Sequence, residues 1–169
     1  QYPGQRVQVD MKVVPLKCLA NPEERLYQYT AIDEYTRLSY LGAYPEQSAY
    51  SSADFLEKMV TWFKRRGVRD GIEFTNHFST NKKDRLTRIE LAAARLGIRH
   101  KLICPYTPHH NGKVERSHRE DQKRFYNTHR FFSFAHQNRS NDLPMRPLGW
   151  LSPKEKLAAF FDSLTVQDI

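Results

Sequence analysis

A loop over residues 105–112 leads directly into a long polar helix, and this junction limits the possible folds of the sequence more than any other feature. The loop contains two prolines and the Asn111-Gly112 pair, which favour turns. From Gly112 to about Phe132 there is no proline or further glycine, and Arg, Lys, Glu and Gln predominate, which predicts a helix. Glu115, near its start, shares a face with Arg119 one turn later. Glu115 is therefore either half of an ordinary ion pair on a solvated face or the acidic member of a site.

The segment from Arg6 to Val14 alternates between apolar and polar residues, which predicts a half-buried strand. One face carries the apolar side chains, and the other carries Gln8, Asp10 and Lys12. Asp is disfavoured in the middle of a strand. Asp10 is therefore a candidate for chemistry, although pairing with Lys12 or with a neighbouring strand would also explain it.

Two further strands are predicted at residues 26–32 and 37–44, joined by a tight turn that begins at Asp33. Three consecutive strands with short links predict an antiparallel meander, in which Asp33 is a turn residue. A helix is predicted to begin at Ser51, with Asp54 at capping-box spacing.

The rest of the chain predicts a short fourth strand, two helices and a fifth strand. Only Val68 and Arg69 separate the preceding glycine from the Asp70-Gly71 turn, so either this fourth strand is very short or residues are missing from the sequence before Asp70. An amphipathic helix follows over residues 86–96, then a strand over residues 98–103, which leads into the opening loop.

The order of these elements predicts an α/β fold, a mixed five-stranded sheet with helices packed on its faces. We expect residues 1–169 to form a single domain, since a chain of this length most simply has one core. The part from about residue 133 is less regular, and a last short helix begins after Ser152.

Three carboxylates lie on or next to the predicted strands. Asp10 is on the first strand, Asp70 follows the fourth, and Glu115 is on the helix after the fifth. If the first and fourth strands are neighbours, all three acids converge at one edge of the sheet. Convergent acids repel one another unless cations neutralise them. Oxygen ligands favour Mg²⁺ or Mn²⁺, and two such ions about 4 Å apart would activate a nucleophile and stabilise the leaving oxygen of a phosphodiester.

Charge and composition narrow the class of partner. The formal net charge is +8, which favours a polyanion such as nucleic acid. No stretch is long and apolar enough to span a membrane. The two cysteines, Cys18 and Cys104, form no metal-binding pair, which excludes a Cys-rich zinc module and is typical of a reduced, cytoplasmic protein.

Four segments in order resemble the catalytic core of the retroviral-integrase superfamily, specifically the transposases of bacterial insertion sequences. They are Gln8–Lys12, Ala31–Arg37, Asp70–Phe74 and Pro108–Arg116, and the tail Pro144–Pro153 is also similar. The resemblance covers nearly the whole chain. It differs at two points: relatives usually have Asp-Asn-Gly where this chain has Asp-Gly, and the 45 positions from Asp70 to Glu115 are more than many relatives have.

The resemblance implies an RNase H-like fold and a catalytic DDE triad of Asp10, Asp70 and Glu115 that holds two Mg²⁺ or Mn²⁺ ions. Water would hydrolyse the end of the DNA element, and the freed 3′-OH would then attack a target duplex. The resemblance also implies a homodimer or higher oligomer. The candidate DNA contacts are Asn111, Lys113, Arg116 and Arg119.

Two alternatives stay open. An RNase H-like nuclease would use the same acids for hydrolysis without strand joining. A catalytically inactive DNA-binding or assembly module would keep the basic surface alone, and the altered segment at Asp70 makes this worth testing.

Overall fold

The computed structural model describes residues 1–19, 23, 25–68, 73–76, 86–102, 112–123, 142 and 144–165. The strands are β1 (Val7–Val13), β2 (Tyr27–Asp33), β3 (Ser39–Tyr44), β4 (Glu73–Asn76) and β5 (Arg99–Leu102). The helices are α1 (Ala49–Lys64), α2 (Arg88–Leu96), α3 (Gly112–Asp121) and α4 (Pro153–Thr165). Two short 3₁₀ segments lie at Leu16–Cys18 and Arg146–Leu148.

The strands form a mixed sheet in the order β3-β2-β1-β4-β5. The first three pair antiparallel, and only β2 and β3 are joined by a short turn, whereas β4 is parallel to both β1 and β5. The predicted α/β class and the antiparallel meander are both confirmed.

One face of the sheet carries the main core. Val7 and Val9 of β1 are buried here, together with Tyr29 of β2. Helix α1 covers them with an aromatic stripe in which Phe55 and Phe63 are fully buried. Phe55, Met59 and Phe63 are four residues apart, so they share the side of α1 that lies against the sheet.

The other face of β1 meets α3. Side chains alternate along a strand, so Gln8 points away from the face that Val7 and Val9 occupy. The Gln8 side chain accepts hydrogen bonds from the first turn of α3. Within the described residues, helices therefore lie on both faces of the sheet.

Helix α1 begins three residues earlier than the sequence pattern predicts. Ser48 is its N-cap, and the Ser48 side chain accepts a hydrogen bond from the backbone N–H of Ser51. Ser51 therefore lies inside the first turn and does not cap it. Asp54 instead accepts a hydrogen bond from the hydroxyl of Tyr44. Two serines at N-cap-compatible positions made the earlier start indistinguishable from the later one.

The fourth strand is displaced relative to the prediction. It was expected at Val68–Arg69, before Asp70, but β4 is Glu73–Asn76 and follows it. Two residues are too few to pair with a central strand, whereas the segment around Phe74 and Thr75 has the β-favouring residues that a strand needs. Phe74 pairs with Val7, so β4 begins at the end of the sheet where β1 begins.

The remaining helix ends follow their sequence signals. Thr87 and Glu90 form a capping box at the start of α2, and Gly97 closes it in the left-handed conformation. Ser152 caps α4 through a reciprocal pair of hydrogen bonds with Glu155. None of the helices in the described ranges combines the length and the apolar character needed to cross a membrane.

Candidate active site

Asp10 lies in the middle of β1, on the face that meets α3. Its backbone is paired with Thr30 of β2, which fixes its height in the sheet. The Asp10 side chain is 29% exposed, so solvent and small ions reach the carboxylate, although the preceding residues of the strand, Val7 to Val9, are buried. Asp10 therefore lies in mid-strand, as the sequence predicts, with its carboxylate accessible.

His118 of α3 lies next to this carboxylate, with 3.7 Å between His118 Nδ1 and Asp10 Oδ2. Burial, followed by the positive charge of Lys12, lowers the pKa of His118 from 6.5 to about 3. The imidazole is therefore neutral near neutral pH, and its contact with Asp10 is neither an ion pair nor, at this distance, a direct hydrogen bond. His118 Nε2 is buried and has no hydrogen-bond partner among the described residues.

Helix α3 is attached to β1 on both sides of Asp10. Gln8 Oε1 accepts hydrogen bonds from the backbone N–H groups of Lys113 and Val114, both at 3.1 Å. Lys12 Nζ donates to the backbone carbonyl of His118 at 3.3 Å. Gln8 thus satisfies two of the amides that every helix start leaves without a partner inside the helix.

Charged side chains lie around Gln8. Its Nε2 donates to Glu34 Oε1 at 2.7 Å, and Glu34 Oε2 accepts from Lys113 Nζ, also at 2.7 Å. Arg6 lies 3.9 Å from the same carboxylate. Burial raises the pKa of Glu34, but the hydrogen bonds from Lys113 and Gln8 and the nearby positive charges outweigh it, so the pKa lies below its usual value. Glu34 is therefore ionised under ordinary conditions.

The outer face of α3 is open to solvent. Glu115, Arg116 and Arg119 are exposed, whereas Val114 is fully buried against the sheet. The helix therefore presents the predicted acid and two of the predicted cations side by side on its accessible surface. This is a site that a polyanionic ligand can reach without any rearrangement of the core.

The predicted site residues are not all within the described part of the chain. Asp70 and Asn111 lie outside it, as do the other loop residues between β5 and α3. Lys113, predicted as a phosphate contact, is bound to Glu34. Among the residues that the structure describes, no three His, Cys, Asp or Glu side chains are grouped as metal ligands. Convergence of Asp10, Asp70 and Glu115 therefore stays a prediction.

Three residues at the contact between β1, the turn after β2 and α3 were not identified from the sequence: Gln8, Glu34 and His118. The alternation along β1 placed Gln8 on the same face as Asp10, and that was the one available signal. The partners of Gln8 are 26 and about 105 positions away along the chain. A pattern that extends over one strand or one turn of helix does not contain such contacts.

Comparison with known proteins identifies the fold independently. Residues 96–141 match the family model described as an integrase core domain. The ORF3 protein of Spiroplasma virus SpV1-C74, itself assigned as an integrase only provisionally, is 28% identical over 148 residues. That alignment covers 80% of this chain and 40% of the viral protein.

Solved structures of retroviral integrases share the fold. A chain of the simian T-cell lymphotropic virus intasome, solved by cryo-electron microscopy with the PP2A subunit B56γ, aligns with a TM-score of 0.70 at 13% identity. It covers 92% of this chain and 55% of that one. The catalytic core domain of BIV integrase aligns with a TM-score of 0.64 at 18% identity. This alignment covers 98% of this chain and 99% of the BIV chain.

The chain thus spans less than half of the curated viral relative and just over half of the intasome chain, but the whole of the isolated BIV core. The extent of the match corresponds to a core domain. The resemblance to the retroviral-integrase superfamily that the sequence motifs predict is therefore confirmed: residues 96–141 match an integrase core domain, and the chain has the fold of retroviral integrase catalytic cores.

Proposed function

We propose that this chain is the catalytic core of a DNA transposase or integrase, which cleaves DNA 3′ ends and joins them to a target duplex with the help of Mg²⁺ or Mn²⁺. The observation that carries the proposal is the placement of Asp10. It is an accessible acid on a central strand, and the helix that bears Glu115 is attached to the same strand on both sides of it.

The carboxylates fit the proposed cofactor in their chemistry. Asp10 and Glu115 both offer oxygen ligands and are both reachable by solvent, which suits a hard divalent cation. Asp70 is proposed as the third ligand on the motif alone. When bound, two such ions would activate the attacking oxygen and stabilise the leaving one. Burial keeps His118 neutral, so the imidazole adds no positive charge beside Asp10.

The basic surface of α3 would hold the DNA backbone. Arg116 and Arg119 are exposed on the turn that carries Glu115, so they would bring phosphates close to the acid. Asn111 and Lys113 are proposed contacts by the resemblance, and Lys113 would have to leave Glu34 to reach a phosphate. Such contacts give affinity without sequence preference. We also propose that the core acts as a homodimer or higher oligomer on element ends and target duplex, inside a bacterial cell.

The test is Mn²⁺-dependent cleavage and joining of labelled duplex DNA by the wild type, Asp10→Asn and Glu115→Gln. Each substitution should lower the rate by about a hundredfold or more, because the loss of a metal-held charge removes several kcal/mol of transition-state stabilisation. Glu120→Gln is the matched control, an exposed acid on the same helix. Activity that survives both substitutions would refute the assignment, and cleavage without joining would identify a nuclease.

One observation favours a second candidate, the catalytically inactive DNA-binding module. β4 begins after Asp70 and at the end of the sheet where β1 begins, whereas the proposal needs Asp70 beside Asp10. An inactive module would bind duplex DNA with the same affinity with and without Mn²⁺. It would also show no cleavage, and the Asp10→Asn substitution would leave its binding unchanged.

A further inference from the structure

A partly buried network of side chains connects the strand of Asp10 to the start of the helix of Glu115. Gln8 is only 2% exposed, and all its polar atoms have partners: two backbone amides of α3 on one side and Glu34 on the other. Glu34 extends from the turn after β2 and also holds the side chain of Lys113. Three elements distant in sequence therefore meet at the first turn of α3.

The network has the properties of a rigid support. Gln8 bonds to Glu34 and to the start of α3, and Glu34 also bonds to the side chain of Lys113, so each bond restricts the others in a partly buried place. Gln8 and Asp10 are two residues apart on β1 and face the same side. Val114, whose amide Gln8 holds, precedes Glu115 directly. The network therefore fixes the position of Val114, the residue before Glu115, relative to β1, the strand that carries Asp10.

We propose that Gln8, Glu34 and Lys113 are positioning residues, which hold the start of α3 against β1 and so set the geometry between the Asp10 and Glu115 carboxylates. The inference rests on the proposed function of these two acids as metal ligands. It gives Lys113 a different role from the phosphate contact that the sequence motif implies. Metal ligands need support of this kind, because an ion binds tightly only when its ligands are held at fixed separations.

The experiment measures Mn²⁺ binding to the free protein by electron paramagnetic resonance, without DNA, together with amide hydrogen exchange. Lys113→Met removes the ammonium and keeps most of the side chain, and we expect it to raise the Mn²⁺ dissociation constant about tenfold or more. Lys113→Arg restores the contact with Glu34 and should bind Mn²⁺ as the wild type does. The matched control is Lys58→Met, which breaks an ion pair of the same 2.7 Å length on α1.

Hydrogen exchange reports on the support itself. In Gln8→Leu, the amides of Lys113 and Val114 lose their acceptor, and their exchange should accelerate more than the change in global stability explains. Should Gln8→Leu fail to fold, the Mn²⁺ affinity of Lys113→Met still tests the inference, because its side chain is one-third exposed and its backbone bond to Gln8 is unaffected. Unchanged exchange at the start of α3 in a folded Gln8→Leu variant would overturn the inference.

The outcomes separate the two proposals. A wild type that binds no Mn²⁺, or whose Mn²⁺ binding survives Asp10→Asn, would refute the proposed function and the inference that rests on it. Mn²⁺ bound through Asp10 with the same dissociation constant in wild type, Lys113→Met and Gln8→Leu would overturn only the inference. A weaker DNA affinity in Lys113→Met at unchanged Mn²⁺ affinity would return Lys113 to the role of a phosphate contact.

Discussion

At the scale of single residues, His118 is the buried group whose protonation should matter most for stability. Its pKa is about 3 in the folded chain and 6.5 ordinarily, so below pH 6.5 the unfolded chain takes up the proton more readily. Stability is therefore complete above pH 6.5 and falls as the pH drops toward 3. The slope of this contribution approaches about 1.4 kcal/mol per pH unit.

The measurement is the free energy of urea unfolding between pH 7 and pH 5, with chelator present so that no cation lies beside Asp10. His118→Asn removes the titrating group, and we expect its stability to depend less on pH than that of the wild type. His100→Gln is the comparison. Burial also lowers the pKa of His100, and His100 lies in a less enclosed position than His118. Parallel pH profiles for wild type and His118→Asn would contradict the prediction.

The residue scale also shows which roles the sequence contains. The role of Asp33 as a turn residue was predicted and is confirmed, because its carboxylate accepts hydrogen bonds from the backbone and side chain of Thr36 only three residues later. Glu34, the next residue, has its main partners at Gln8 and Lys113. Local turn chemistry is visible in a short pattern, whereas a partner that only the folded sheet brings near is not.

At the scale of elements, the N-cap of α1 is Ser48, whereas the sequence pattern predicted a start at Ser51. Ser48→Ala removes the N-cap acceptor and should lower the free energy of unfolding by about 1 kcal/mol. Ser51→Ala is the control, since its backbone N–H keeps the Ser48 acceptor and only the contact between the two hydroxyl groups is lost. A larger loss for Ser51→Ala in thermal or urea unfolding would place the cap where the sequence pattern put it.

Helix α3 as an element makes a prediction about salt. If Arg116 and Arg119 each neutralise one phosphate, the double variant Arg116→Gln/Arg119→Gln should reduce the slope of log affinity against log salt by about 1.8. Arg88→Gln/Arg95→Gln is the matched control, with two partly or fully exposed arginines of α2. An equal change of slope in both double variants would mean a diffuse charge effect and no defined contact on α3.

β4 shows where element prediction reaches its limit. The Asp70-Gly71 turn is strong local evidence for a boundary, but it does not say on which side the strand lies. The parallel pairing of Phe74 with Val7 decides this, and it depends on a strand that is far away in the sequence. Antiparallel neighbours joined by short links carry their pairing in the chain, whereas parallel neighbours do not. This explains why the meander was predicted and β4 was displaced.

At the scale of the whole molecule, α4 closes on the main core and supports the proposal of a single domain. Leu157 of α4 is buried in the core cluster, and Phe161 packs against it. The Phe161 ring also lies over Gly67, just after α1, where a Cβ atom would come within 2.8 Å of it. Gly67 is therefore favoured for two reasons: its φ is 85°, and the Phe161 ring leaves no room for a side chain.

Gly67→Ala should therefore destabilise the protein by about 2–4 kcal/mol, because it adds a steric overlap to the cost of a left-handed alanine. Gly149→Ala isolates the backbone cost of about 1 kcal/mol, since Gly149 has φ of 66° and open space around it. Both variants are measured by urea unfolding monitored by circular dichroism. If α4 belongs to one cooperative domain, Gly67→Ala shifts a single transition to lower urea without splitting it. A separate early transition for Gly67→Ala would instead mean that α4 unfolds independently, and that the domain ends before it.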